Sequence, residues 1–471
     1  MNCHPICING QWLDTGDYFT VTNKYSGEVM ARVCRATAGA VNNAVGAAAQ
    51  AFKETPLPPW RRHQILLKTS ELLAKNQPSL ALTIAGEAGK PLKEAMTEVS
   101  RAANTFSLAA EESKRIKGEI VPLSTPGAEN RFAYTVRAPL GVVCAISPFN
   151  FPLNLVAHKV APAIAAGNTV VLKPASTTPL TSLALCRIME EAGLPAGHLN
   201  VVTGEGAGIG ELLLSDPRFA FYTFTGSPAV GKRIREGVGL RKCTLELGSN
   251  SATIVHGDAD LEKAAMACCR MAFANAGQVC ISVQRIMVQR DVADAFTELL
   301  VEQAQKLVVG DPTDNSTDVG PMITEKDARR AEQWIGEAVS GGARILTGGQ
   351  RNGAVLQPTV ITGAGPDMKV VCEEIFAPVV TIMAYDTFEE ALRMVNASKY
   401  GLQAGVFTGS LSLAMLAAQK LEVGGVMIND TSVFRVDEMP YGGVKESGMG
   451  REGPKYAIEE MTETKLVVMN L

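Results

Sequence analysis

Short apolar runs alternate with longer amphipathic stretches from Gly141 onward. We predict β-strands where the apolar runs lie, at 142–146, 169–172, 199–202, 219–224 and 244–247. Helices are predicted between them, opening at Pro152, Pro179 and Gly226, since proline in the first turn of a helix sacrifices no hydrogen bond. Strands joined by helical crossovers build a parallel sheet whose ligands bind beyond the carboxyl ends of the strands.

A second series of the same kind begins near Asp258. Helices are predicted at 259–273, 291–308 and 388–396, and strands at 285–288, 379–384 and 425–429. A chain of 471 residues is long for one compact domain. The pattern therefore predicts an α/β protein with two parallel-sheet domains.

Two further segments alternate apolar and polar residues in the manner of strands, at 119–138 and 464–471. Neither has a core of its own. Because isolated strand pairs are marginal in water, each segment needs a partner to pair with.

Composition excludes several classes of protein. The net charge is −4 and the charges are mixed along the chain, so we predict no nucleic-acid partner. We find no run that resembles a membrane span or a signal peptide, and we expect a cytoplasmic protein with no membrane partner. Ten Cys without paired spacing and five His without a cluster favour reduced thiols and no metal site.

Two glycine-rich segments could in principle bind phosphate. Gly226 to Lys232 has the spacing of a nucleoside-triphosphate loop, but Arg233 stands where magnesium requires a Ser or Thr hydroxyl. The glycines at 204, 206, 208 and 210 do not fit Gly-x-Gly-x-x-Gly. These residues alone leave the cofactor undetermined.

The segment Asn275-Ala-Gly-Gln-Val-Cys280 places a thiol in a turn of small residues, and Glu246-Leu-Gly-Ser249 supplies a carboxylate upstream. A thiolate is a strong nucleophile and a carboxylate can serve as a base. A free cysteine is more often a small buried hydrophobe, so this context alone does not decide the role of Cys280.

Other motifs decide it: Pro148-Phe-Asn-Phe-Pro152, Lys173-Pro-Ala-Ser176, Phe224-Thr-Gly-Ser227, Glu374-Ile-Phe-Ala-Pro378 and Pro440-Tyr-Gly-Gly-Val-Lys-Glu-Ser-Gly448. In order and spacing they resemble the NAD(P)-dependent aldehyde dehydrogenase superfamily over nearly the whole chain. The resemblance implies an aldehyde dehydrogenase-like fold. Its expected division is a cofactor domain at 1–118 and 139–248, a catalytic domain at 249–450, and an oligomerisation arm at 119–138 and 454–471. A homodimer or homotetramer is expected.

The resemblance also assigns the chemistry. Cys280 attacks the aldehyde, and Asn150 with the Cys280 backbone N–H stabilises the oxyanion. Glu246 activates water to hydrolyse the thioester, which favours a free acid product over transfer to coenzyme A. Asn150 could instead cap the helix that follows it, and Glu246 could be a plain strand-end carboxylate.

For the cofactor, the resemblance implies binding by Lys173 and Ser176 at the adenosine ribose and by Glu374 at the nicotinamide ribose. Neighbouring residues complete the site: Ser147, Phe149, Thr225, Gly226, Ser227 and Phe376. Ser176 stands where many members carry Glu, whose charge would repel a 2′-phosphate. We therefore expect NADP to be accepted as well as NAD. Ala377 replaces the usual Gly and could shift the local turn.

Aligned substrate positions are Arg101, Phe151, Val279, Ile281 and Arg435. Two arginines suit a short aldehyde with an anionic end, because guanidinium binds such groups through several hydrogen bonds. Either arginine could instead form a surface ion pair, Arg101 with Glu98 or Arg435 with its acidic neighbours.

We predict oxidation of a small polar or anionic aldehyde to its acid. Lactaldehyde-type and succinate-semialdehyde-type substrates are the alternatives. A non-catalytic protein would be expected to lack the nucleophile, and a cysteine hydrolase would require a histidine partner that no motif provides.

Overall fold

The computed structural model describes residues 3–471. Up to the end of the first sheet's parallel strands, the elements are β1 (Cys3–His4), β2 (Ile6–Ile8), β3 (Gln11–Leu13), β4 (Tyr18–Thr22), β5 (Val29–Cys34), α1 (Ala38–Glu54), α2 (Pro59–Lys75), α3 (Gln77–Ala88), α4 (Leu92–Ser113), β6 (Ile120–Val121), β7 (Arg131–Pro139), β8 (Val142–Ile146), α5 (Asn154–Ala166), β9 (Thr169–Lys173), α6 (Leu180–Glu191), β10 (Leu199–Val201), α7 (Gly206–Ser215), β11 (Phe219–Thr225), α8 (Pro228–Gly237) and β12 (Lys242–Glu246).

The remaining elements are β13 (Ala252–Val255), α9 (Leu261–Phe273), a 3₁₀ turn (Ala274–Gly277), β14 (Arg285–Gln289), α10 (Arg290–Gln305), α11 (Glu325–Ser340), β15 (Arg344–Thr347), β16 (Arg351–Asn352), β17 (Val355–Leu356), β18 (Thr359–Thr362), α12 (Lys369–Cys372), β19 (Val379–Tyr385), α13 (Phe388–Asn396), β20 (Tyr400–Gly401), β21 (Gln403–Phe407), α14 (Leu411–Lys420), β22 (Gly425–Ile428), β23 (Val444–Lys445), β24 (Gly448–Met449), α15 (Pro454–Glu460) and β25 (Thr462–Asn470).

The first large sheet has the strand order β24-β12-β11-β8-β9-β10-β2-β3. Its five central strands pair in parallel, and β24 and β2 join antiparallel at either side. The predicted apolar runs form these central strands because helices cover both faces, so every side chain of β9 is buried.

The second large sheet has the order β15-β18-β19-β14-β13-β21-β22 and is parallel except for β15. Its core contains Phe273, Phe296 and Ile286. The predicted α/β class with two parallel-sheet domains is therefore confirmed. Residues 448–449, which the sequence assigns to the catalytic range, pair with β12 in the first sheet.

A third sheet is formed by β25, β7 and β6. The pairing of β25 with β7 runs from Thr462 opposite Pro139 to Asn470 opposite Arg131. The two segments that alternate in the sequence thus pair with each other, which supplies the partner that each lacked.

The structure corrects one predicted boundary near the site. The helix expected to open at Pro152 begins at Asn154, because Oε1 of Glu98 on α4 accepts hydrogen bonds from the backbone N–H groups of Leu153 and Asn154. A carboxylate from another helix therefore caps α5, and Leu153, the residue before the helix, provides no side-chain cap.

Candidate active site

A cavity of about 500 Å³ lies at the carboxyl ends of β8, β11 and β12, where residues of the second domain also line it. The predicted catalytic and cofactor residues found along its wall are Ser147, Phe149, Asn150, Thr225, Gly226, Ser227, Glu246, Cys280, Glu374 and Phe376. Residues that are far apart in sequence thus share one space. The position agrees with the rule that ligands bind beyond the carboxyl ends of parallel strands.

The turn before Cys280 has an uncommon backbone. Asn275, Ala276 and Gly277 all have positive φ, at 49°, 54° and 68°. Only glycine is accommodated at 277, since a Cβ there would lie 2.0 Å from the carbonyl oxygen of Ala377. The backbone N–H of Asn275 donates to Glu94 of α4 at 2.9 Å, so the first domain helps to hold this turn.

Cys280 is partly exposed, and its Sγ lies 2.8 Å from the Tyr441 hydroxyl oxygen. Burial raises the pKa of the thiol to about 12, although the Tyr441 hydrogen bond and the charge of Arg435 act in the opposite direction. The sulfur therefore carries its proton at neutral pH in this arrangement. A base must remove that proton before the sulfur attacks.

Asn150 contacts the nucleophile turn. Its Nδ2 donates to the backbone carbonyl of Gln278 at 2.8 Å, and the backbone carbonyl of Asn150 accepts a hydrogen bond from the Asn275 side-chain amide at 3.2 Å. Since Glu98 caps the following helix, the capping alternative for Asn150 is wrong. The amide instead lines the cavity next to Cys280, where it can donate to an oxygen.

Glu246 ends β12, and both carboxylate oxygens are buried without a hydrogen-bond partner among the described residues. Burial and the nearby charge of Glu452 raise its pKa well above the usual range. The ionised form of Glu246 is therefore disfavoured in this arrangement. A raised pKa brings a carboxylate towards the range of a general base that works near neutrality.

Glu452 is a site residue that the sequence reasoning missed. It accepts from Lys159 at 3.0 Å and from Arg435 at 3.2 Å. Burial opposes its ionisation, but the charges of Lys159 and Arg435 with the Lys159 hydrogen bond together outweigh that effect and lower the pKa of Glu452 to about 2. Lys159 also donates to Thr225 Oγ1 at 2.6 Å, so that hydroxyl is already engaged. The sequence signal that could have revealed this ion pair is Lys159 itself, a lysine within the apolar helix α5, whose residues are all buried. A buried lysine requires a partner.

Arg101 and Arg435 belong to the same set of charges, but with partners other than those expected. Arg101 binds Asp437 at 2.8 Å and not Glu98, which pairs with Lys90. Arg435 pairs with Glu452, and its Nε is buried without a partner among the described residues. Its guanidinium lies 3.6 Å from the centre of the Tyr441 ring.

His158 connects the two arginines. Its Nε2 lies 3.0 Å from Asp437 and 3.3 Å from Arg435. Burial and the charge of Arg435 lower the pKa of His158, so it is neutral and donates to Asp437. Burial opposes the ionisation of Asp437, but this hydrogen bond and the charge of Arg101 hold its pKa well below the usual range. Three cations, Arg101, Arg435 and Lys159, thus face two anions, Asp437 and Glu452.

On the other side of Cys280, Glu374 accepts from the backbone N–H of Ser249 at 2.9 Å, and burial raises its pKa to about 7. Lys369, which an exposed glutamate at 374 could have paired with, binds Glu337 instead. Phe376 adopts φ 50° and meets Phe149 edge to face at 5.9 Å. The left-handed turn thus falls on Phe376, and Ala377 fits without strain.

Lys173 and Ser176, the two residues predicted at the adenosine ribose, lie at and just after the end of β9. Lys173 is buried at the end of β9, where its Nζ donates to the carbonyl of Pro174, and burial lowers its pKa to about 8. Ser176 lines a second cavity together with Glu205, which pairs with Arg35 at 2.9 Å. The structure therefore places Ser176 apart from the cavity that holds Cys280.

The remaining predicted substrate residues form an apolar cluster around Cys280: Phe151, Val279 and Ile281, with Leu402, Val433 and Tyr441. The buried Lys90 makes a cation–π contact with Phe151, since its Nζ lies 3.5 Å from the centre of the Phe151 ring.

Across residues 3–471, no helix combines the length and apolarity needed to span a membrane. In the same part of the chain, Cys7, Cys186 and Glu190 bring potential metal-ligand atoms within 4.8 Å of one another. They lie on β2 and α6, away from the cavity lining. The absence of a metal stays a prediction.

Two parallel-sheet domains thus meet at a cavity that contains a nucleophile. The aldehyde dehydrogenase family description matches residues 12–467, and the chain belongs to this family, whose members oxidise aldehydes. The predicted family and fold are thereby confirmed.

Three relatives are informative. The chain is 54% identical to 3-sulfolactaldehyde dehydrogenase of Priestia aryabhattai, over 99% of this chain and 98% of that protein. It is 40% identical to lactaldehyde dehydrogenase of Methanococcus vannielii, over 98% of this chain and 99% of that protein. The crystal structure of NADP-dependent glyceraldehyde-3-phosphate dehydrogenase from Bacillus halodurans, complexed with NADP, matches with a TM-score of 0.97 and 37% identity, covering 100% of both chains.

Proposed function

We propose that the protein oxidises a short aldehyde with an anionic far end, 3-sulfolactaldehyde in particular, to its carboxylate with NAD(P)⁺. The observation that carries this proposal is the buried Nε of Arg435, a charged donor without a partner among the described residues, beside Tyr441 and Cys280. The 54% identical relative named for a sulfonated aldehyde supports the same class of substrate.

The catalytic steps follow from the residues around Cys280. Ionised Glu246, which lines the same cavity, takes the Cys280 proton and passes it to solvent. Sγ then attacks the aldehyde carbon, and the amide of Asn150 with the Cys280 backbone N–H stabilises the resulting oxyanion. Collapse of this thiohemiacetal releases a hydride and leaves a thioester on Cys280. Glu246 in its ionised form then takes a proton from water, which attacks the thioester and releases the carboxylate.

Residues of both domains along the cavity fit a dinucleotide. Ser147 Oγ is buried without a partner among the described residues, Glu374 lines the cavity, and Ser227 precedes α8 with no side-chain capping bond. Helix N-terminal N–H groups favour a pyrophosphate, and a carboxylate binds ribose hydroxyls. When bound, nicotinamide supplies the hydride acceptor. Lys173 and Ser176 are proposed to bind the adenosine ribose.

NADP is proposed as an accepted cofactor. Ser176 brings no charge towards a 2′-phosphate, and Glu205 in the same cavity is paired with Arg35. The structural relative from Bacillus halodurans holds NADP. NAD remains the alternative.

A neutral hydroxyaldehyde of the lactaldehyde type is the second candidate. It is favoured by the pairing of Arg101 with Asp437 and Arg435 with Glu452, which already satisfies most of their charge. The 40% identical relative is named for that substrate. Succinate semialdehyde is the remaining alternative among anionic aldehydes.

The test is the rate of NADH or NADPH formation by the purified protein with 3-sulfolactaldehyde, lactaldehyde and succinate semialdehyde. We expect the highest kcat/KM for 3-sulfolactaldehyde, and product analysis should find 3-sulfolactate without added coenzyme A. A higher kcat/KM for lactaldehyde would contradict the anionic assignment. Absence of activity with every aldehyde would contradict the enzyme assignment.

Assembly with a second copy is proposed through the sheet of β25, β7 and β6. Its exposed apolar residues include Phe132, Val136, Leu466 and Val468. Such a surface on an open sheet favours association. Deleting 464–471 should lower the mass measured by light scattering, and an unchanged mass would refute the proposal.

A further inference from the structure

Cys280 packs against a small apolar cluster in which Tyr441 carries a hydroxyl group. Its buried members are Val279, Ile281, Leu402 and Tyr441, and Phe151 and Val433 pack against them. Aliphatic and phenyl side chains offer no hydrogen bond to a polar substituent. Within this cluster, therefore, the Tyr441 hydroxyl can bond a polar group on the carbon next to the aldehyde.

The Tyr441 hydroxyl is held firmly in place. Its oxygen lies 2.8 Å from Cys280 Sγ, and the side chain is 2% exposed. The ring is covered by the Arg435 guanidinium, and the backbone exchanges two hydrogen bonds with Glu452, at 2.7 and 3.1 Å. Burial raises the pKa of Tyr441 well above its usual range, so the group remains a neutral donor.

The position of this hydroxyl corresponds to one particular atom of a bound aldehyde. When Sγ bonds to the aldehyde carbon C1, the oxyanion turns towards Asn150, and C2 is the next atom along the chain. A hydroxyl on C2 then lies within reach of the Tyr441 oxygen, which no longer needs the thiol as its partner. Asn150 and Glu246 are occupied by the oxyanion and the water.

We propose that Tyr441 determines specificity for aldehydes that carry a hydroxyl at C2. The inference rests on the proposed function and deepens it, because 3-sulfolactaldehyde and lactaldehyde both have this hydroxyl whereas only the former has a sulfonate. Tyr441 is assigned to the C2 hydroxyl and the two arginines to the anionic end. The two groups act on separate parts of the substrate.

The test uses four aldehydes that combine these two features: 3-sulfolactaldehyde, 3-sulfopropanal, lactaldehyde and propanal. Tyr441→Phe keeps the ring under Arg435 and removes only the hydroxyl. We expect kcat/KM to fall roughly tenfold for both 2-hydroxyaldehydes and to change less than about twofold for both 2-deoxyaldehydes, as suits the loss of one neutral hydrogen bond. Tyr385→Phe is the matched control, because it removes a buried hydroxyl that is bonded to the Val255 carbonyl. It should change kcat/KM equally for 2-hydroxyaldehydes and 2-deoxyaldehydes.

A competing role for Tyr441 is to support the thiolate alone. In that case Tyr441→Phe lowers kcat/KM equally for all four aldehydes and slows alkylation of Cys280 by iodoacetamide at a given pH. This outcome would overturn the proposal. If the sulfonated pair is not oxidised by the parent enzyme, the anionic assignment fails, and the lactaldehyde and propanal pair still tests Tyr441.

Discussion

The two sides of Cys280 are built in different ways. On the cofactor side, Ser147, Ser227 and Glu374 each follow a strand or lie in a short motif, and they line the cavity with local hydrogen bonds. On the substrate side, Arg101 and Asp437 are brought together from positions 336 residues apart. The local backbone thus positions the cofactor residues. The substrate residues are instead positioned by ion pairs between distant parts of the chain. Substitutions should therefore act locally on the first side and propagate on the second.

The largest effect is expected at the boundary between the two sides. Cys280→Ser should lower turnover by more than about 100-fold, because a hydroxyl is a far weaker nucleophile than a thiolate. Cofactor binding, measured by fluorescence titration with NADPH, should be retained. Retention of more than a few per cent of the parent activity would remove Cys280 from its assigned role.

Glu246→Gln should separate the two halves of the reaction. We expect a burst of reduced cofactor in stopped-flow measurements, followed by steady turnover lower by about 100-fold or more, because the thioester persists. The base acts in its ionised form and its pKa is raised, so steady turnover of the parent should increase with pH above the range in which an ordinary glutamate ionises. A variant with neither burst nor turnover would contradict this role.

Arg101→Met and Arg435→Met test the substrate side. Loss of one charged hydrogen-bonding group should reduce kcat/KM for 3-sulfolactaldehyde roughly ten- to a hundredfold and reduce kcat/KM for lactaldehyde much less. The side chain of Arg435 is 7% exposed and that of Arg101 is 27% exposed, so Arg435→Met should lower the melting temperature more than Arg101→Met. Equal losses on both aldehydes would indicate a purely structural role.

The smallest effect is expected on the cofactor side. Ser176→Glu should lower the ratio of kcat/KM for NADP⁺ to that for NAD⁺ by about tenfold, because the new carboxylate repels the 2′-phosphate. Ser176→Gln has nearly the same size without the charge and provides the control. An unchanged ratio would show that residue 176 does not face the adenosine ribose.

Sequence patterns predict what is set by local or repeated constraints. The strand at 142–146 was placed correctly because both of its faces are buried, and an apolar run marks such a strand. The start of α5 was missed by two residues because its cap, Glu98, comes from another helix. A non-local cap leaves no signal next to the helix that it stabilises.

The same reasoning explains the misassigned partners. Proximity in sequence predicts that Arg435 pairs with Asp437 or Glu438, but it pairs with Glu452. Helical spacing predicts that Arg101 pairs with Glu98, one turn away on the same helix, but Glu98 binds the fully buried Lys90. Buried ion pairs are selected by three-dimensional proximity, so helical spacing identifies candidates without choosing between them.

Helix α4 bears on three parts of the site from a single face. Glu94 holds the backbone of the nucleophile turn, Glu98 caps α5, and Arg101 binds Asp437, at spacings of four and three residues. One inserted residue would turn all later positions by about 100° and displace them together. The exposed Lys93, Thr97 and Ser100 take no part in these three contacts, whereas the number of residues between Glu94 and Arg101 must stay constant for all three to persist.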